Sequence, residues 1–511
     1  MRKTDNGLPQ GSRGRIVMLV DNGVHGDSRV QKVARSAAQM GWDVILLGRS
    51  PDGKPRRWRL GDARVRLLTV PLTTKARYQV RRAPLRRPLA YPPGPVIAQR
   101  KREVELRRLK LTTLRAKLAA ADRSRLVSRG TVLVTKVVYG VANRWVRVRL
   151  SQTESLAEAR KNLAGPIDRF AVAFWEKAMG KRSWRQLDPM LWDYELSFGP
   201  VIDKLRPAII HAHDSRMIAV GARAKLRAQA RGRDVKLVWD AHEYRPGVGH
   251  SNPRRHVAYC ANELEFVPYA DSVITVSEPL ADLLIERHKL TTRPSIVLNA
   301  PDVAWRDDAG EAPPKLRDLC GITDDTPLLV YCGVASAPRG LDIMVEALPM
   351  IPAAHVALVI NNHGTPYVRK LVARAKALQA GHRLHILPYV DPYQIVPFLS
   401  QADAGVHPLH HTLNHEIGVS TKFYEYAHAG LPIVVSDVKL MTETIQQVGN
   451  GVVFKAKNLA DYIRAVYNVL DDPRRYRAAY EAPGLLDAWT WARQARILGE
   501  LYDELKPRTL A

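Results

Sequence analysis

The sequence predicts two doubly wound α/β domains facing across a cleft, with a basic, largely helical insertion in the first. Three observations carry this. Apolar runs of four to seven residues alternate with longer amphipathic stretches through most of the chain. At 511 residues the chain exceeds what one core ordinarily holds. The alternation breaks once, between about residues 75 and 188, where proline and basic residues take over.

Residues 1–14 are polar and read as a flexible N-terminus. The apolar run that follows, Ile16 to Val20, has a strand's length rather than that of a signal peptide's core, so no secretion signal is expected. Within residues 15–304 the runs RIVMLV, WDVILLG, ARVRLLTV, PAIIHAH, VKLVWDAHE, DSVITVS and SIVLNA read as strands of one domain. Helices are expected from Asp27 to Met40, Arg216 to Gln229 and Pro279 to His288. Residues 305–485 repeat the pattern with PLLVYCG, HVALVIN, HRLHILPYV, DAGVHPL, LPIVVSD and GVVF, separated by helical stretches such as LDIMVEALPMI and YVRKLVARAKALQ. The remainder, 486–511, contains the amphipathic DAWTWARQARILGELYDELK, expected to pack outside the second sheet or to cross back to the first.

Composition narrows the class. The chain is 46% hydrophobic and 25% charged, as a soluble globular protein is, and no uninterrupted apolar run reaches a membrane span. Three cysteines without CxxC spacing suggest neither a disulfide framework nor a thiolate zinc site, which fits a reducing cytoplasm. The net charge is +28, and residues 75–150 carry 21 Lys/Arg against 3 Asp/Glu. Such a segment suits an anionic surface, so peripheral attachment to the inner face of the cell membrane is expected; its merely solvated alternative is an unattached basic loop. No nucleic-acid-binding module is recognisable, and a nucleic-acid partner is not expected.

Ser420 to Asp437, STKFYEYAHAGLPIVVSD, places Lys422 and Glu425 three residues apart at the start of a helix ahead of a buried strand. A carboxylate accepts two vicinal hydroxyls, and a lysine with backbone N–H groups suits a phosphate; a solvated ion pair on a helix face has the same spacing. The segment resembles the donor-binding region of the retaining family-4 glycosyltransferases, glycosyl transferases group 1, whose GT-B fold pairs two Rossmann-like domains. The resemblance covers about residues 15–70 and 191–503. It implies that Glu425 holds the ribose of a nucleotide sugar and that Lys422 and the helix N-terminus face its diphosphate.

Further motifs follow from the same resemblance. The family's second glutamate falls on Ile417 here; LNHEIG is similar instead to a subgroup with an Asn-containing loop, making Asn414, His415 and Glu416 candidates for donor-sugar contacts. In YCGVASAPRGLDIMVEAL, Val334 replaces the family's usual Arg and Arg339 stands where its Lys would be, implying a guanidinium at the leaving diphosphate. DNGVHGDSR offers Gly23 and Gly26 for close backbone approach to the donor, although glycines after a strand are frequent. HAHD ends a strand, and the resemblance implies that His213 faces the donor sugar, a structural histidine being the alternative. WDAHEYRP places Asp240, His242 and Glu243 beyond another strand's end, assigned to the acceptor side. Zinc sites can be written from His211, His213, His242 and Glu243, or from His407, His410, His411 and His415, but the family implies no bound metal and no cofactor beyond the nucleotide-sugar substrate.

The expected activity is retaining transfer of a sugar from a nucleotide-sugar donor to a hydroxyl of a lipid-linked, glycan or polymer acceptor, in cell-envelope or polysaccharide biosynthesis. His213, Arg339 and Lys422 are the expected catalytic residues. The rivals are a nucleotide-sugar epimerase or phosphorylase of the same architecture, and a non-catalytic sugar-binding or membrane scaffold, for which Val334 and Ile417 speak.

Overall fold

The computed structural model describes residues 11–71, 88–92, 95–120, 125–161, 165–249, 252–304 and 314–506. The chain forms two compact units, one of Met1–Thr69, Ser197–Gly249 and Asn262–Ala511, the other of Val70–Leu196 and His250–Ala261. Both sheets lie in the first unit.

The first sheet contains β1 (Arg15–Leu19), β2 (Asp43–Arg49), β3 (Arg56–Leu60), β4 (Ala63–Leu68), β5 (Ile209–His213), β6 (Lys236–Ala241), β7 (Ser272–Thr275) and β8 (Ser295–Ile296). Their order is β3-β4-β2-β1-β5-β6-β7-β8, parallel except for β3 against β4. Sequence reasoning missed β3, because RRWRL reads as a polar loop; in the sheet Trp58 and Leu60 turn to the core while Arg56, Arg57 and Arg59 stay exposed. SIVLNA yields only the two residues of β8.

The second sheet contains β9 (Leu328–Cys332), β10 (His355–Val359), β11 (Leu384–Leu387), β12 (Ala404–His407), β13 (Ile433–Ser436) and β14 (Gly451–Phe454). It is parallel throughout, in the order β11-β10-β9-β12-β13-β14. Strands buried on both faces must be apolar along their length, which is why these runs do not alternate. Strand order reverses between β1 and β5 in one sheet and between β9 and β12 in the other. Crevices for ligands open at such reversals, beyond the carboxyl ends of the strands.

The C-terminal helix Trp491–Glu504 packs into the core of the first sheet. Trp491, Leu498 and Tyr502 are buried among Ile16, Val33 and Val65, each contributing about 1.5–3 kcal/mol of apolar burial. Polar ties fix the register: Trp491 Nε1 donates to Ser36 Oγ at 2.8 Å and Leu298 N donates to Gln494 Oε1 at 2.9 Å.

The second unit holds the helices Pro95–Ala120, Arg125–Lys161 and Pro166–Met179. Arg107 donates to Asn143 Oδ1 at 3.2 Å, joining the first two, and Tyr91 N donates to Thr153 Oγ1 at 2.9 Å. Most of the proline-rich RRAPLRRPLAYPPGP lies outside the described residues. No helix among the described residues is long and apolar enough to cross a membrane.

Candidate active site

A cavity of about 260 Å³ is bordered by the loops after β6, β9 and β12 and by the start of the helix Thr421–His428. Arg339, His415, Ser420, His242, Glu243 and Asn299 contribute its polar lining.

Arg339 ends a 3-10 turn, Ala337–Arg339, and is followed by Gly340 at φ 68°. A Cβ on Gly340 would lie 2.0 Å from the Pro408 carbonyl oxygen, so only glycine lets this loop lie on the loop after β12. His410 N donates to Pro338 O at 2.9 Å across the same seam. The Arg339 guanidinium has no hydrogen-bond or ion-pair partner among the described residues and lines the cavity. Val334, where the family has its other cation, is half exposed.

The helix Thr421–His428 starts at Ser420, whose hydroxyl accepts from Lys422 N at 3.3 Å, and Ser420 and Thr421 both line the cavity. A helix N-terminus and an unpaired guanidinium on one cavity make a preorganised anion site. His415 Nδ1 lies 2.7 Å from His410 O and so carries the proton it donates, leaving Nε2 as an acceptor. Burial foremost, with Arg339 adding, pushes the His415 pKa down, which keeps the ring neutral.

Other expected residues are placed differently. Asn414 lines the cavity, but its amide is spent on a two-way tie to the Tyr244 backbone: Tyr244 N donates to Oδ1 at 2.8 Å and Nδ2 donates to Tyr244 O at 3.1 Å. Glu416 is not in the lining; it accepts from Lys439 N at 2.7 Å and lies 2.6 Å from His411 Nδ1, so it caps the helix Lys439–Val448 instead of facing a sugar. Lys422 and Glu425 form a largely buried rather than a solvated pair, 3.2 Å apart, and Lys422 also donates to the Tyr389 hydroxyl at 2.7 Å. Burial opposes the lysine's charge, yet Glu425, with Cys332 and Tyr389, holds its pKa well above the usual value. Neither residue is in the cavity lining.

In the first sheet, His213 is fully buried, its Nδ1 3.1 Å from Asp240 Oδ2 and its ring stacked on His211 at 4.3 Å. Asp240, expected on the acceptor side, is instead sealed from solvent. Arg29 grips both its oxygens at 2.9 Å and also donates to Val297 O at 2.8 Å. Burial pushes against ionisation, but Arg29 and the bond from His213 hold Asp240 well below the usual carboxylate range. Beside it, His211 Nδ1 lies 2.6 Å from the Tyr502 hydroxyl. His211, His213 and Asp240 approach as metal ligands would. The Arg29 cation already occupies the carboxylate, so the group does not suit a second cation.

His242 and Glu243 do reach the cavity. His242 Nε2 lies 3.1 Å from Asp214 Oδ1. Burial pulls the His242 pKa down, but Asp214 and then Asp240 outweigh it and leave it raised. Asp214 takes φ 63°, turning the chain sharply from β5 into the following helix.

In the loop after β1, Gly26 adopts φ 80° with open space around it, whereas the second left-handed residue is Val24, φ 69°, and not Gly23. Asn22 pins this turn, accepting from Val24 N at 2.8 Å and donating to Asp27, which caps the helix Ser28–Gln39.

Sequence reasoning passed over Arg29 and Lys32. Both lie on the apolar face of the helix Ser28–Gln39, among Val30, Val33 and Ala34, where a cation needs a buried partner, and that misplacement is the signal that could have found them. Lys32 Nζ sits 3.3 Å from Asn299 Oδ1 and over the Trp491 ring. Burial lowers its pKa to about 7 against the pull of Glu425.

Comparison with known proteins agrees with this architecture. Residues 314–483 match the model of glycosyl transferases group 1, and residues 168–305 that of glycosyltransferase family 4. The glycogen synthase of Mycobacterium tuberculosis is 26% identical over 313 residues, 58% of this chain and 69% of that protein. A GDP-mannose-dependent alpha-(1-6)-phosphatidylinositol monomannoside mannosyltransferase of Mycolicibacterium smegmatis is 25% identical over 201 residues, 37% of this chain and 51% of that protein. Among solved structures, the sucrose-phosphate synthase of Thermosynechococcus elongatus superposes with a TM-score of 0.60 at 15% identity, over 96% of this chain and 99% of that one, a likeness of fold. Two matched family models, one in each half of the paired-sheet architecture, identify the chain as a glycosyltransferase enzyme of family 4 with the GT-B fold.

Proposed function

We propose that this enzyme transfers a sugar from a nucleotide-sugar donor to a hydroxyl of a lipid-linked, glycan or polymer acceptor, with retention of anomeric configuration. The observation that carries the reading is the unpaired Arg339 guanidinium on the same cavity as the N-terminus of the helix Thr421–His428. Two fixed positive elements suit a diphosphate as it departs. The GDP-mannose dependence in one relative's name and its phosphatidylinositol-linked acceptor support the donor and acceptor classes.

In this reading Arg339 takes the diphosphate from the cavity wall, and the resemblance assigns Glu425 to the ribose, Lys422 to the diphosphate and His213 to the reacting face of the sugar, although none of these three lines the cavity. Asn414, His415 and Glu416 shape the donor loop, His415 Nε2 being the group free to accept from a hydroxyl. Gly23 and Gly26 admit the donor, while His242 and Glu243 meet the acceptor. The bond from the anomeric carbon to the diphosphate breaks, the bond to the acceptor oxygen forms on the same face, and a diphosphate oxygen takes the acceptor's proton. No metal and no further cofactor enters. The enzyme acts in the cytoplasm at the inner face of the membrane, in cell-envelope or polysaccharide synthesis.

Thermal denaturation against a panel of UDP-, GDP-, ADP- and dTDP-sugars tests the donor site, because ligand at about 100 times its Kd stabilises by about 2.7 kcal/mol. One nucleotide should stabilise the protein and lose its effect in Arg339→Ala; no stabilisation by any donor counts against the reading. Binding without release of nucleoside diphosphate would favour the scaffold alternative, which Val334 and Ile417, standing where the family has Arg and Glu, support.

A further inference from the structure

We propose that the helix Arg125–Lys161 lies in the surface of an anionic bilayer and inserts its apolar face among the lipids; this rests on the peripheral attachment proposed above and names the contact that makes it. Leu133, Val134, Val137, Val138, Val141 and Trp145 are 52 to 68% exposed. At 3.6 residues per turn all six fall within an arc of about 140° and extend about 18 Å along the helix. Val146, on the opposite side, is buried, and Thr153 beyond it bonds to Tyr91. The face is therefore not an ordinary core stripe turned outward by accident of length.

Charge selects the occupant. From Arg125 to Leu150 there are six Lys/Arg and no Asp or Glu. Arg129, Lys136 and Arg147 follow one border of the apolar arc, and Arg144 lies within it. Apolar residues bordered by cations describe an interfacial helix, the side chains entering the acyl boundary while the cations meet lipid phosphates. A second copy of the same face would bring six further cations with no compensating acid. The helix is too charged to cross the bilayer.

The attachment expected from charge alone and the insertion proposed here respond differently to salt, since ionic contacts are screened and apolar burial is not. The full chain is floated with phosphatidylcholine vesicles with and without phosphatidylglycerol, at about 0.1 M and about 1 M salt. The expected result is binding to anionic vesicles with a fraction that survives high salt. In the variant Val137→Asp with Val141→Asp that fraction falls by about tenfold or more, while the far-UV spectrum and donor-induced stabilisation stay those of the parent. Binding that high salt abolishes and the aspartates leave unchanged overturns the insertion but keeps the attachment. No binding to anionic vesicles removes both. Substitutions that dissolve an oligomer seen by light scattering without altering vesicle binding make the face a contact between copies and overturn the proposal.

Discussion

Replacing Arg29 with methionine removes the cation that grips Asp240 and leaves a carboxylate with zero exposure and, among the described residues, a bond from His213 alone. Three hydrogen bonds of 2.8–2.9 Å disappear together, including the one that satisfies Val297 O. Breaking a buried pair from one side costs about 3–5 kcal/mol, because the surviving charge is sealed from water and has lost its counter-ion. Asp240→Leu strands Arg29 in the same way. The double variant, Arg29→Met with Asp240→Leu, places apolar groups against each other and should be more stable than either single one. Urea unfolding followed by tryptophan fluorescence measures all three. The pH profile adds an independent check: with its pKa held low in the fold, Asp240 contributes stability that is present above its ordinary unfolded value of about 4 and is lost as pH falls through the folded one. That acid-side loss should vanish in the Asp240→Leu variants. Single variants within about 1 kcal/mol of the parent, or a double variant whose cost equals the sum, would refute the reasoning.

Other perturbations follow from the cavity's construction. Gly340→Ala sets a methyl against the Pro408 carbonyl at a left-handed φ, so the Arg339 loop must lift; donor-induced stabilisation should be lost, as read by thermal shift, with the fold retained by circular dichroism. Asn414→Ala unties both backbone groups of Tyr244, and hydrogen exchange at that amide should rise by about tenfold, following the loss of about 1–2 kcal/mol of local bonding. His411 bridges Glu416 and Asp437, its bond to Glu416 raising its pKa most. Its stabilisation is therefore complete below the unfolded value of about 6.5 and lost as pH rises through the folded one. The stability difference between the parent and His411→Gln should shrink from pH about 5.5 to about 8.5 and be smaller in high salt.

Much of the fold was legible because buried parallel strands must be apolar throughout and short. β9 is such a run, and β1, β2, β5, β6 and β12 stand out as apolar runs interrupted or ended by few polar residues, such as Arg15, Asp43, His213, Asp240 and His407. β3 was not legible, since an edge strand that buries only Trp58 and Leu60 reads as a charged loop. His242 and Glu243 could be placed at the cavity from their position beyond the end of β6, and Arg339 from the resemblance of its loop to the family's. The site was not legible where the partner comes from far along the chain: nothing local to Asp240 announces Arg29, and nothing near His211 announces Tyr502. Glu416 illustrates the same limit, since a helix 23 residues on takes its carboxylate away from the cavity. The run from Thr131 to Val146 reads as apolar but broken by Lys136 and Arg144, and nothing in that sequence says that its apolar face near Val141 turns outward.

The most direct test of glycosyl transfer is to incubate the purified chain with the nucleotide sugar that stabilises it and a hydroxyl acceptor, and to follow nucleoside diphosphate release and the product's anomeric signal by NMR. Release that requires acceptor, a product with the donor's anomeric configuration, and loss of both in Arg339→Ala are the predicted results. An inverted product would contradict the retaining course, and a bound donor that never yields diphosphate with any acceptor would contradict the transfer itself.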